Sequence, residues 1–223
     1  THVNKASQNG RRGSATGYVN FFDPEIESIF ALKSPRMPVE DRINDLSYGI
    51  KLNQLAYDRA KVGGVISLFS VRKAPKLYEL FYSADVEAFT KHYEECEAAE
   101  LYSSQIDAQD FWERLVAVES AETSSYYIVN IDEMNANSHI TRPITQANIC
   151  VEYMTGTLPL SPQHRHRPDI GVCVLGNVNQ GIVGIAYLPR VTGLLVRAQS
   201  HIMQRQVHPT PQANAYIAMY RDI

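Results

Sequence analysis

The run Asn148-Ile149-Cys150-Val151-Glu152 gathers an amide, a thiol and a carboxylate at alternate positions. In an extended strand the side-chain period is two, so Asn148, Cys150 and Glu152 share one face while Ile149, Val151 and Tyr153 share the other. The first face then holds all three polar groups within roughly 7 Å along the strand. Ile, Val and Tyr make an ordinary buried face, but burying the polar trio without a ligand is costly. Two readings therefore stand side by side. One is a half-exposed edge strand with polar residues facing water, and the other is an active-site floor with sulfur chemistry at its centre.

A second thiol, Cys173, sits in the apolar run Gly171-Val172-Cys173-Val174-Leu175, where an inert packed thiol is the ordinary outcome. If two strands present Cys150 and Cys173 into a common space, the pair suits a redox step in which closing a disulfide supplies two electrons. A cysteine hydrolase needs a positioned histidine base instead. His139, His164 and His166 are available, all in expected loops and none at a telling spacing. His164 and His166 supply half a metal site with no third ligand in sight, so no metal site is expected. The opening stretch from Ser7 to Thr16 mixes glycine, small and cationic residues, and its Arg11 and Arg12 would suit an anion.

The elements that position these residues follow from periodicity. After Asp23-Pro24, an N-cap with proline at the first helical position, Glu25 to Leu32 reads as a short helix. Ile43, Leu46 and Ile50 recur at helical spacing and predict a helix from Glu40 to Ala60, stopped by Gly63-Gly64 and followed by a strand from Val65 to Phe69. Asp85 caps a helix whose stripe is Val86, Phe89, Tyr93 and Cys96, which makes Cys96 a packed core thiol. A helix from Ala108 to about Ser120 and a strand from Tyr126 to Ile131 come next. Two more apolar runs, Ile149 to Met154 and Ile170 to Leu175, flank a Pro/His/Arg loop from Pro159 to Pro168, and helical signal returns from about Arg190 to Arg205. Strands alternating with helices argue for an α/β layer or barrel with largely parallel pairing.

Composition narrows the function classes. The 223 residues, 44% of them hydrophobic and 20% charged, suffice for one sizeable core or two small ones. A net charge of −3 gives no electrostatic reason for a long-lived nucleic-acid complex. Three cysteines without a Cys-x-x-Cys pair indicate neither a disulfide scaffold nor structural zinc, which favours a reducing, cytoplasmic location. No apolar run approaches the roughly 20 residues that span a bilayer, so no membrane partner is expected.

Taken in order, these motifs resemble the catalytic barrel of the ribonucleotide reductase large subunit, class I type in particular. Arg11-Arg12-Gly13-Ser14-Ala15-Thr16, followed by Phe22-Asp23-Pro24-Glu25-Ile26-Glu27, is similar to the family's Arg-Gly-Gly-x-Ala-Thr loop and the helix start after it. Arg12 stands where the family usually has glycine. Leu46 to Tyr57, Ile66 to Ser70 and Leu77-Tyr78 to Phe81 look like the next helix, strand and turn. Gln146 to Glu152 resembles the Asn-Leu-Cys-x-Glu signature, with Ala147 where serine is common. Gly171 to Asn179 resembles the strand that carries a reducing cysteine.

The resemblance implies a segment of a ten-stranded α/β barrel completed by other chains. It implies a single partial domain over 1–223: an effector-loop-like segment and first strand at 1–22, helices with intervening strands at 23–145, the cysteine strands at 146–180 and a helical end at 181–223. It implies that Cys150 holds a thiyl radical, Glu152 takes the 3′-hydroxyl proton and Asn148 hydrogen-bonds the sugar, with Ile149 and Val151 completing the substrate-binding run. Cys173 would be one member of the reducing dithiol, its partner cysteine lying elsewhere. The opening loop would lie between a nucleotide allosteric effector and the substrate base, with Gln8 and either Arg11 or Arg12 as its readers.

The expected partners are other segments of the large subunit, a dimetal small subunit that supplies the radical, a ribonucleotide substrate, and a dithiol reductant of thioredoxin or glutaredoxin type. No cofactor is expected to bind this chain directly. The segment is expected not to turn over alone. The alternative is a catalytically silent remnant that binds partners or a nucleotide, and a cysteine-histidine hydrolase stands third.

Overall fold

The computed structural model describes residues 13–34, 37–43, 46–83, 85–116, 126–138, 143–154, 156, 173–207, 211 and 214. They divide into two compact units, 1–156 and 157–223. The first unit begins with strand β1 (Ala15–Asn20) and helix α1 (Ile26–Ala31), then a single 3-10 turn at Val39–Asp41, strand β2 (Leu46–Leu52) and helix α2 (Gln54–Val62). Strand β3 (Val65–Leu68), helices α3 (Pro75–Tyr82) and α4 (Val86–Ala98), strand β4 (Ser104–Asp107) and helix α5 (Ala108–Glu113) follow, then strand β5 (Tyr126–Asn130) and helix α6 (Ile131–Ala136).

β1, β2 and β5 form a parallel sheet in that order, with Tyr18 opposite Gly49 and Asn20 opposite Lys51. β3 and β4 form a separate antiparallel ladder. The helix expected from Glu40 to Ala60 is thus two elements. Leu46 and Ile50 are four apart, a spacing that fits a helix and a strand alike, and Leu46, Tyr48, Ile50 and Leu52 alternate to one face of β2. Only Gln54 onward is helical, ending at Gly63, whose φ of 65° is left-handed. The Gly64 N–H then reaches back to the Arg59 carbonyl at 2.8 Å, as expected for a glycine helix stop. Leu77 to Phe81 lies within α3, where a turn was expected, because Pro75 opens that helix at its first position.

Other expectations hold. Asp85 accepts from the Ala88 N–H at 2.9 Å and starts α4, and Cys96 is buried on its inner stripe. The helix starting at Ala108 is α-helical to Glu113, and the rest of its expected span beyond 116 lies outside the described residues. The parallel sheet agrees with an α/β assignment, but among the described residues it is open, with β1 and β5 at its edges, and no closed barrel is formed.

The core of this unit is aromatic. Phe21 and Phe22, immediately after β1, meet Phe81 of α3 and Phe89 and Tyr93 of α4 at centroid separations of 5.2 to 6.5 Å. Such edge-to-face and tilted pairs add to area burial and fix the end of β1, the strand on which the site below depends. Tyr126 stacks on Tyr48 at 5.6 Å and donates to the Ile29 carbonyl at 2.6 Å, which ties β5 to α1.

In the second unit, residues 173–179 carry no regular secondary structure, so the strand expected from Ile170 to Leu175 is absent over its described part. A 3-10 turn at Ile185–Tyr187 leads into helix α7 (Leu188–Arg205). Gln199 of α7 donates to the Val174 carbonyl at 2.7 Å. A Cβ at Gly176 would lie 2.7 Å from Leu195 Cδ1, so the absence of a side chain lets this irregular backbone lie on the helix. No helix of the described residues is long and apolar enough to cross a membrane.

Candidate functional site

The Asn148 to Glu152 run is a tight turn, which corrects the strand expected over Ile149 to Met154. A lone antiparallel bridge between Ala147 and Met154 closes its base. Inside it the Asn148 N–H donates to the Tyr153 carbonyl at 2.9 Å, and the Tyr153 N–H donates to the Asn148 side-chain oxygen at 3.1 Å. Alternating apolar and polar residues fit a strand, but an asparagine side chain can take a backbone donor away from a ladder and favour a turn. Val151 completes the reversal at a φ of 63°. That left-handed conformation costs an L-residue about 1–2 kcal/mol. Val151 is half-buried and packs against the core, which holds it there.

Cys150 and Glu152 therefore sit at an exposed tip, with Asn148 half-buried at its base. The three groups remain within one turn, as the sequence requires, but they are no longer arrayed along a strand face.

Strand β1 anchors the turn. Thr16 Oγ1 donates to the Ile149 carbonyl at 2.9 Å, and the Tyr18 hydroxyl donates to the Asn148 carbonyl in a short hydrogen bond. Thr16 and Tyr18 are two apart on β1 and so share a face. Tyr18 lies over Gly49 of β2, where an added Cβ would come within 2.5 Å of Tyr18 Cδ1. The Tyr18 phenol is pushed up to about 12 by burial first, then by the nearby Tyr127, Cys150 and Glu152. None of Thr16, Tyr18 and Gly49 is singled out by sequence motifs as part of this site. A glycine inside a strand does signal the close approach of another group, but the segment holding Gly49 reads as helix in the sequence, which hid that pointer.

On the same face by register, Asn20 and Lys51 are buried beside the half-buried Tyr82. Lys51 Nζ donates to the Tyr82 hydroxyl at 2.8 Å and lies 4.5 Å from its ring centroid, and Tyr82 donates to Asn20 Oδ1 at 3.3 Å. Burial holds the Lys51 ammonium below its ordinary pKa. An open cavity of about 640 Å³ between β5, α6 and the turn is walled by Ile128, Met134, Ile144, Val151 and Met154.

Cys173 is exposed in the second unit. Gln8, Arg11 and Arg12, and with them His139, His164 and His166, lie outside the described residues. The described cysteine-histidine contact is Cys96 Sγ to His92 Nε2 at 3.7 Å, with His92 Nδ1 3.1 Å from Glu95. Cys96 is only 3% exposed and burial pushes its thiol pKa up, the reverse of what a nucleophilic cysteine needs. Among the described residues no group of three or more His, Cys, Asp or Glu side chains is arranged to hold a metal ion.

Comparison with known proteins adds a second line. The family model described as "Ribonucleotide reductase, barrel domain" matches residues 1–223. The chain is 34% identical to the ribonucleoside-diphosphate reductase subunit alpha of Buchnera aphidicola subsp. Schizaphis graminum over 93% of this chain and 28% of that protein. It is 32% identical to the Haemophilus influenzae subunit alpha over 96% of this chain and 29% of that protein. It is 30% identical to the Enterobacteria phage T4 subunit alpha, again over 96% and 29%. The chain thus spans less than a third of the length of these relatives.

Proposed function

We propose, from the premise that the chain belongs to the ribonucleotide reductase barrel-domain family, that it supplies the central cysteine turn of a reductase large subunit. In this reading it acts with other large-subunit segments outside these 223 residues and does not turn over alone. The supporting observation is a thiol and a carboxylate two residues apart at the tip of a turn held against β1, in a chain whose whole length matches the family.

The chemistry assigned to the residues balances. The Cys150 thiyl takes the hydrogen atom from C3′ of the ribose and becomes a thiol. The Glu152 carboxylate accepts the 3′-hydroxyl proton as a carbonyl develops at that carbon. The Asn148 side-chain amide, whose oxygen accepts from the Tyr153 N–H at the base of the turn, is assigned to hydrogen-bond the sugar and that carbonyl. The 2′-hydroxyl leaves as water, and Cys173 with a partner thiol from outside the sequence delivers two electrons and closes a disulfide. Glu152 gives its proton back to the 3′-oxygen and Cys150 returns its hydrogen to C3′, while the dithiol's two hydrogens end in the water and at C2′, so the net change is one ribonucleotide and two thiols to one 2′-deoxyribonucleotide, one disulfide and one water. The radical originates outside this chain, on a small subunit with a dimetal centre. A thioredoxin- or glutaredoxin-type dithiol reopens the disulfide, and Gln8 with either Arg11 or Arg12 is assigned to the effector nucleotide.

The test mixes the chain with the remaining large-subunit segments and the small subunit, supplying a ribonucleoside diphosphate and a dithiol. Deoxyribonucleotide is expected from the mixture and none with Cys150→Ser. A stable complex without turnover sinks the proposal in favour of a silent binding protein.

A further inference from the structure

We propose that Tyr18, seated over Gly49, is a positioning residue that sets the Cys150 turn against β1, with Thr16 as its second anchor. The catalytic meaning of this inference rests on the reading of Cys150 above; its structural content does not.

The two carbonyls bound by β1 belong to Asn148 and Ile149, the residues immediately preceding Cys150. Two adjacent peptide units are therefore fixed just before the thiol. Immediately after it, Val151 is held in the left-handed region at a φ of 63°, a conformation that persists only where its surroundings over-determine it. Within the turn, the Asn148, Val151 and Tyr153 N–H groups all bond inside the loop, and these internal bonds do not tie it to the sheet. Thr16 and Tyr18 supply side-chain bonds that do.

Gly49 makes the second contact possible. It faces Tyr18 across the parallel ladder, and any β-carbon there would overlap the tyrosine ring. With a side chain at 49 the ring would have to lift, and its hydroxyl would leave the Asn148 carbonyl. β1 is in turn held by the aromatic cluster at Phe21 and Phe22, both fully buried, so the anchors stand on a rigid element, as precise placement of a reacting group demands.

The test is amide hydrogen exchange on the full chain, resolved to the peptide spanning 146–154, for wild type, Tyr18→Phe and Gly49→Ala. Loss of one hydrogen bond of ordinary net strength predicts about five- to tenfold faster exchange in that peptide for Tyr18→Phe. Gly49→Ala should show the same local acceleration, with the 65–82 peptide unchanged in both variants. In the assembled enzyme, Tyr18→Phe should lower kcat about tenfold while KM for the ribonucleotide stays within about twofold, because the hydroxyl holds the turn and not the substrate. Exchange within twofold of wild type in the turn, or acceleration spread equally over 65–82, overturns the inference. The exchange readout requires no turnover. A failure of the Cys150 reading therefore leaves it intact, and a failure of the Tyr18 inference leaves the Cys150 test intact.

Discussion

Val151 offers a prediction whose sign is set by backbone geometry. Its φ of 63° puts a β-branched residue between Cys150 and Glu152 in the left-handed region. Val151→Ala removes the packed methyl groups but keeps the backbone penalty of about 1–2 kcal/mol. Val151→Gly removes both, at an entropic cost of about 0.5–1 kcal/mol relative to alanine. At the centre of the two ranges the glycine variant is more stable than the alanine variant by about 0.75 kcal/mol. At an ordinary position the order is reversed by a similar amount. The chain's single tryptophan, Trp112, stands on α5 in the same unit and reports its unfolding by fluorescence. With a urea m-value of about 2 kcal/mol/M, the glycine midpoint should lie about 0.4 M above that of alanine. Equal midpoints, or a lower one for glycine, would refute the left-handed assignment and the tight turn built on it.

Three further outcomes follow from the geometry. Tyr93 is fully buried, and its hydroxyl accepts from the Ser67 N–H at 2.7 Å and donates to the Ser67 carbonyl at 2.8 Å. Tyr93→Phe orphans both groups and should cost about 2–4 kcal/mol, seen in calorimetry as a melting point lower by about 5–12 °C. Burial lowers the folded-state pKa of Lys51, so between that value and the unfolded value of about 10.4 the unfolded chain binds the extra proton. The stability of wild type relative to Lys51→Met should therefore rise with pH as that value is approached in urea titrations, and a flat or falling difference contradicts the buried ammonium. Cys150 is exposed and Cys96 is buried with a raised thiol pKa, so iodoacetamide should label Cys150 at least about 100-fold faster in peptide mass spectra.

The sequence displayed the functional groups of the candidate site more fully than its shape. Asp85 and the stripe through Phe89, Tyr93 and Cys96 marked α4 because cap and periodicity agree there. β2 was hidden because Leu46 and Ile50 satisfy both the helical and the strand period, and its strand character comes from pairing with β1 and β5, which is non-local. The Asn148 to Glu152 run showed its functional groups but not the turn, since alternation is the same in a strand and in a loop whose asparagine closes on Tyr153. Thr16 and Tyr18 lie more than 125 residues from the carbonyls they bind. No local pattern encodes such a contact, and only the glycine opposite Tyr18 leaves a trace of it.

The central claim is that the Cys150 sulfur takes and returns the 3′-hydrogen of a ribonucleotide, and the most direct measurement uses a 3′-deuterated substrate in the assembled enzyme. The account predicts a normal isotope effect on kcat/KM, deuterium largely retained at C3′ of the deoxyribonucleotide, and no product from Cys150→Ser. Turnover by Cys150→Ser at a rate near that of the wild type would contradict it.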